Sequence, residues 1–189
     1  AMSATPIPRT LALILYGDLD ISIINELPPN RKKIDTFAVG KSFEERVNHF
    51  IEKQLDEGRQ CYIVCPLVEE NEEMDLKSVT ELAKKLQTEI FSKYRVEFLH
   101  GKMKPKEKDD IMLRFKNGEI DILISTTVIE VGVDVPNANI MVIENSERFG
   151  LAQLHQLRGR VGRGEYKSYC ILKFEGKGKV VQERMKIMC

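Results

Sequence analysis

From about residue 34 onward the apolar positions fall alternately into helical and strand-like patterns. In Phe43–Gly58, Phe43, Val47, Phe50, Ile51 and Leu55 recur at helical spacing and the stripe stops at a glycine, which predicts an amphipathic helix. Cys61–Val68 (CYIVCPLV) is a continuous apolar run ended by Pro66, a buried strand. Val79–Tyr94 repeats the helical spacing, and Val96–His100 is a short strand. Pro105–Gly118 opens on proline and closes on glycine, the asymmetry expected at the two ends of a helix. Asp121–Ser125, Asn139–Glu144 and Ser168–Phe174 complete the strands, and a further helix begins at Leu151.

Strands separated by helices of this length predict an α/β fold, a mainly parallel sheet with helices on both faces. The first 35 residues fit that scheme poorly. They hold a proline-rich opening, one helical stretch (Pro8–Tyr16) and a PPNR turn (Pro28–Arg31), and read as a connector. The division predicted is therefore a connector over 1–35 and one domain over 36–189.

Composition narrows the picture. An apolar content of 42% with 31% charged residues fits a folded soluble domain and excludes a disordered chain. The run Leu11–Leu15 is too short to span a bilayer and lacks the flanks of a signal peptide, so a cytoplasmic protein is expected. Lys plus Arg equals Asp plus Glu, 29 against 29, so any nucleic acid must be held at a local patch. Residues 151–189 are basic, whereas Glu69–Asp75 (EENEEMD) is acidic and reads as an exposed loop. Cys61, Cys65, Cys170 and Cys189 do not have metal-ligand spacing; they read as reduced thiols, mostly buried, and no metal site is expected.

Candidate chemistry lies at strand ends and turns. In a parallel sheet ligands collect beyond the carboxyl ends of the strands. There the sequence puts Pro66, the His100–Met103 segment (HGKM) and the pair Thr126–Thr127. Hydroxyls and free backbone N–H groups at such a rim suit phosphate oxygens, although each cluster alone is also ordinary turn chemistry. The segment Gly132–Ala138 (GVDVPNA) presents Asp134 in a tight loop, where it can meet a ribose hydroxyl or cap a turn. The strongest signal is Gln153–Gly164 (QLHQLRGRVGRG), in which Arg158, Arg160 and Arg163 alternate with Gly159, Gly162 and Gly164. An interior glycine costs a helix about 1 kcal/mol relative to alanine, so the helix should end here and the arginines should sit in a turn. Guanidinium groups are permanently charged and match phosphate geometry, as the transition state of phosphoryl transfer requires. A phosphate-cradling G-x-x-x-x-G-K-[ST] loop does not occur. The nearest approach, Glu175–Lys179 (EGKGK), has Lys173 where the first glycine belongs and Val180 after the lysine. Arginines without a phosphate loop exclude a complete ATPase.

Taken together, Ser3–Thr10 (SATPIPRT), Leu99–Met103 (LHGKM), Ser125–Ala138 (STTVIEVGVDVPNA) and Gln153–Gly164 resemble motif III, the motif IV–V region, motif V and motif VI of superfamily 2 helicases. The wording through Asn139–Gly150 (NIMVIENSERFG) is similar to the RecG family of branched-DNA helicases. The resemblance implies the second RecA-like lobe of a two-lobe motor, preceded by the tail of the first lobe in residues 1–35. ATP with Mg2+ would then bind mostly on the first lobe. By the same resemblance Arg160 and Arg163 would be arginine fingers and Gln156 would help assemble the nucleotide site. Gly132 and Asp134 would touch the nucleotide sugar. Thr126 and Thr127, with His100 and Gly101, would line the DNA-backbone track, and Ser3, Ala4 and Thr5 would couple hydrolysis to movement. The implied partners are branched or forked DNA in recombination and repair, with the first lobe and the wedge domain of the same parent protein. The parent would be a monomer without membrane association. Two alternatives stay open on the sequence: the equivalent lobe of a transcription–repair coupling translocase, and a non-enzymatic nucleic-acid-binding module.

Overall fold

The computed structural model describes residues 32–66, 72–126, 135–176 and 178–189, with backbone alone at 72–78, 179 and 180. The connector reading of the first 31 residues, with Ser3, Ala4 and Thr5, lies outside the described residues, as do Thr127, Gly132 and Asp134.

The strands are β1 (Ile34–Val39), β2 (Gln60–Val64), β3 (Val96–Leu99), β4 (Ile122–Ser125), β5 (Ala138–Ile143) and β6 (Ser168–Lys173). They form one six-stranded sheet in the order β1-β6-β5-β2-β4-β3. Every pairing is parallel, so all six carboxyl ends lie along one rim and all six amino ends along the other. The helices are α1 (Glu44–Asp56), α2 (Glu72–Lys85), α3 (Pro105–Lys116), α4 (Leu151–Arg158) and α5 (Lys179–Met188).

The two-residue period of the strands sorts the core into two layers. Tyr62 and Val64 of β2 join Met141, Ile143 and Leu172 beneath α3, α4 and α5, with Phe115, Leu154, Leu157 and Met185 contributed by those helices. Cys61, Ile63 and Cys65 point the other way, toward Val47, Ile51 and Leu55 of α1 and Ala83 of α2. A sheet covered on both faces needs apolar residues at successive positions, which is why β2, β4 and β5 read as continuous apolar runs.

Three elements differ from the sequence expectation. IDTFAV forms strand β1, which among the described residues pairs only with β6, so Ile34 and Asp35 belong to the sheet although they fall within the connector's predicted span. Its polar Asp35 and Thr36 and its half-exposed positions hide the strand pattern. The acidic segment is not a loop throughout: α2 begins at Glu72, three residues before Asp75. Acidic side chains in a first helical turn complement the helix dipole, so this charge starts a helix as readily as it solvates a loop. The chain also ends in α5, which packs on α4 through Met185 and Met188. The glycines and lysines ahead of it obscure its apolar face.

Past α2 the helix widens into one π turn, Leu86–Ile90. The Phe91 N–H donates to the Leu86 carbonyl at 2.6 Å, which drives the Phe91 ring into the α1–α2 layer. Gln87 secures the following turn, donating from Nε2 to the Tyr94 carbonyl and accepting the Val96 N–H, both at 2.9 Å.

Candidate functional site

The predicted site residues that are described fall at opposite rims of the sheet. At the carboxyl rim β3 ends at Leu99 and β4 at Ser125, and the Thr126 N–H donates to the Leu99 carbonyl at 3.3 Å. This bond brings Thr126 beside His100 and Gly101. Thr126 is 4% exposed, whereas Gly101 is open to solvent. The His100 ring stacks on Phe98, with centroids 5.9 Å apart. Burial lowers its pKa, the charges of Lys108 and Lys102 lower it further, and Glu107 opposes them, so the ring is held neutral near pH 7. Lys108 Nζ donates to the Gly101 carbonyl at 2.7 Å, fixing the turn that leads into α3. The rim thus offers a neutral imidazole and backbone groups beside lysines, a combination suited to a phosphodiester chain.

The arginine segment lies at the amino rim. Helix α4 is capped at its start by Gly150, whose N–H is taken by Gln153 Oε1 at 2.9 Å. Leu154 and Leu157 are 0% exposed and fix its face to the sheet, which leaves Gln153 and Gln156 outward. The helix ends at Arg158 with Gly159 as its cap, where the glycine spacing predicts. Arg158 turns back into the structure, donating from Nη1 to the Met188 carbonyl at 3.0 Å, with Nη2 2.8 Å from His155 Nδ1. It braces the end of α5, where a cation also complements the helix dipole. After it, Val161 is wholly buried while Arg160 is half-buried and Arg163 exposed. The buried valine between them pins the turn so that the arginines are carried on a fixed stretch of backbone.

Two glycines in this turn are demanded by contact. Gly162 has φ +80°, and a Cβ there would stand 2.9 Å from Ile34 Cγ1 at the start of β1. A Cβ on Gly164 would overlap the carbonyl oxygen of Pro136, in the backbone leading into β5. Side chains tie the same neighbours together. Lys32 Nζ donates to the Glu165 carbonyl at 2.5 Å, and Lys167 pairs with Asp35 at 2.7 Å. Arg59 lies over the Tyr166 ring, 3.0 Å from its centroid, with Nη1 3.5 Å from Asn137 Oδ1. Asn137 Nδ2 in turn donates to the Gly58 carbonyl at 2.8 Å. The arginine turn is therefore held between the start of β1, the turn before β2 and the lead-in to β5.

Sequence reasoning found the turn and missed its supports. Lys32, Asp35, Arg59, Asn137 and Tyr166 meet only through the parallel sheet, and no local spacing links Arg59 to a tyrosine more than a hundred residues later. Among the described residues no three His, Cys, Asp or Glu side chains converge on a possible metal position. No helix among them is long and apolar enough to cross a membrane.

Comparison with known proteins accords with this arrangement. The helicase conserved C-terminal domain family matches residues 44–165. ATP-dependent DNA helicase RecG of Bacillus subtilis is 50% identical over 187 residues, covering 99% of this chain and 27% of that protein. A structure of RecG bound to a three-way DNA junction superposes with a TM-score of 0.83 at 49% identity, covering 98% of this chain and 24% of that one. The C-terminal domain of the DEAD-box protein Dbp5 shares the fold at 20% identity, with a TM-score of 0.56 over 83% of this chain and 84% of that domain. The chain thus spans about a quarter of the length of the RecG proteins it matches. On the family match over residues 44–165 and the RecA-like sheet, the chain belongs to the helicase conserved C-terminal domain family, and it is about half identical to the matching quarter of RecG helicases.

Proposed function

We propose that the chain is the second motor lobe of a RecG-type, ATP-dependent DNA helicase that remodels branched or forked DNA in recombination and repair, as a cytoplasmic monomer. The observation that carries this reading is the arginine turn at the amino rim, in which Gly162 is required by its positive φ and the Ile34 side chain and Gly164 by the Pro136 backbone, and which presents Arg163 to solvent. ATP, held with Mg2+ largely by a first lobe, would supply the phosphoanhydride bond whose hydrolysis drives movement.

The residues of this lobe contribute charge and alignment. Arg160 and Arg163 donate to the phosphate oxygens as negative charge builds during transfer, and their charge is permanent at any working pH. Gln156, on the exposed face of α4 ahead of the turn, orients the site. Gly132 and Asp134 meet the sugar. His100, Gly101 and Thr126, at the carboxyl rim, hold the DNA backbone together with Thr127. Ser3, Ala4 and Thr5 relay closure of the cleft to that track. The two rims lie on opposite ends of the strands, so a rotation of the whole lobe upon nucleotide binding moves the DNA contacts with it.

The test is turnover in a protein that carries both lobes. Arg163→Ala should lower ATP turnover by about 10³-fold or more, the usual worth of an arginine finger, with ATP affinity little changed. The lobe alone, given ATP and forked DNA, should show no hydrolysis. Normal turnover by the Arg163→Ala protein would refute the assignment.

A further inference from the structure

Arg59 and Tyr166 belong to none of the helicase motifs, yet they meet beside the arginine turn. Tyr166 lies three residues after Arg163 and is 45% exposed, so it is not held there by the core. What holds it is Arg59, whose guanidinium lies 3.0 Å from the ring centroid, well inside the range of a cation–π contact. Arg59 is itself anchored. Its backbone N–H donates to the Gln54 carbonyl at 3.0 Å at the end of α1, and its side chain reaches Asn137. Gln60, the next residue, donates its N–H to the Asn137 carbonyl at 3.2 Å and its Nε2 to the Phe115 and Ile120 carbonyls at 2.6 and 2.7 Å. Arg59 thus stands on a fixed platform built from α1, β2 and the lead-in to β5.

The turn has a second contact with the same platform, where Gly164 abuts the Pro136 carbonyl. A glycine contact alone limits approach but does not prevent the turn from lifting away. On the β1 side the Lys32–Glu165 hydrogen bond and the Lys167–Asp35 pair restrain the turn; on the platform side the stacked pair does so, because lifting the turn from the platform separates the ring from the guanidinium.

We propose that Arg59 and Tyr166 form a latch that holds the arginine turn against the lead-in to β5, which makes Tyr166 a positioning residue for Arg163. The inference rests on the finger reading above and deepens it. A displacement of about 1 Å in a group that acts on the transition state costs up to 10²-fold in rate. Opening the latch should therefore act on kcat and spare the binding of ground-state nucleotide. Stacking requires only the ring face, so phenylalanine should serve in place of tyrosine.

The experiment uses the protein carrying both lobes, with ATP and forked DNA. Tyr166→Ala and Arg59→Ala should each lower kcat by about 10-fold with KM for ATP within about twofold of the parent. Tyr166→Phe should restore kcat. The double variant should be no worse than either single one, because both remove the same contact. Tyr166→Ala at parental kcat, with Arg163→Ala inactive, would overturn the latch and leave the finger reading standing. Parental kcat in Arg163→Ala would overturn the finger reading, and the latch with it. A loss in Tyr166→Phe equal to that in Tyr166→Ala would also overturn the latch, since it would place the effect in the hydroxyl.

Discussion

Replacing Gly164 with alanine adds one methyl group at a point where the structure has no room for it. An ideal Cβ at this position collides with the Pro136 carbonyl oxygen and stands 3.0 Å from its carbon and 3.5 Å from its Cα. These are backbone atoms, so no rotamer change relieves the overlap. Either the arginine turn or residues 135–137 must move. The second path disturbs the start of β5, where Val135 and Ala138 are 3% and 1% exposed and the Ala138 N–H donates to the Val135 carbonyl at 3.0 Å. Forced overpacking of this kind costs about 1–3 kcal/mol. For a domain of this size that lowers Tm by roughly 2–4 °C per kcal/mol. Two controls isolate the collision. Gly40→Ala meets nothing within 4 Å and should lie within about 0.5 kcal/mol of the parent. Gly118→Ala also meets nothing, but its φ of +76° is strained for alanine and should cost about 1–2 kcal/mol. Urea unfolding followed by circular dichroism gives all three midpoints. A Gly164→Ala midpoint equal to that of Gly40→Ala would refute the claim that this glycine is fixed by contact with the lead-in to β5.

Three further predictions concern titratable groups. Burial, with the negative charge of Glu144 and against Lys173, pushes the Cys65 thiol up to about 12, and burial likewise takes Cys170 to about 12 and Cys61 higher still. Native protein at pH 8 should therefore react with a thiol reagent first at exposed Cys189, and at the other three only on unfolding; rapid labelling of Cys61 or Cys170 in the native state would contradict the packing. The same buried thiols keep their protons while unfolded ones ionise from near their ordinary value of 9.0, so stability should fall as pH rises from about 9 toward 12. Burial raises Asp121, but side-chain and backbone hydrogen bonds from Arg95, at 2.6–3.0 Å, outweigh it and hold the carboxyl below its usual range. Its stabilising contribution is complete above the ordinary value near 3.8 and is lost as pH falls below it. Asp121→Asn should cost about 1 kcal/mol at pH 7, a charged hydrogen bond discounted because Arg95 is exposed, and the deficit should shrink below pH 4 in urea titrations. A deficit independent of pH would contradict the assignment.

The helices and central strands were legible in the sequence because a sheet buried on both faces writes itself as continuous apolar runs between amphipathic helices. β1 was not legible, since an edge strand with Asp35 and Thr36 buries too little to show a period. The start of α2 was misread because acidic residues serve a helix N-terminus and a solvated loop equally well. At the site, the alternation of glycine and arginine located the turn and the end of α4. Sequence order could not separate the two rims, although strand direction does: His100 and Thr126 follow their strands, while Arg160 and Arg163 precede β6. The same spacing could not distinguish Arg158, which braces α5, from the two arginines that the turn carries beyond it. The braces at Lys32, Arg59 and Asn137 exist only once the parallel sheet has brought distant segments to one rim.

The central claim, that the turn acts on phosphate during transfer, is tested most directly by trapping the transition state. In the two-lobe protein with forked DNA, ADP and aluminium fluoride should together form a slowly dissociating complex. The account predicts that Arg163→Ala binds ADP as the parent does but fails to retain it when fluoride and aluminium are added. Equal retention of ADP by both proteins would contradict it.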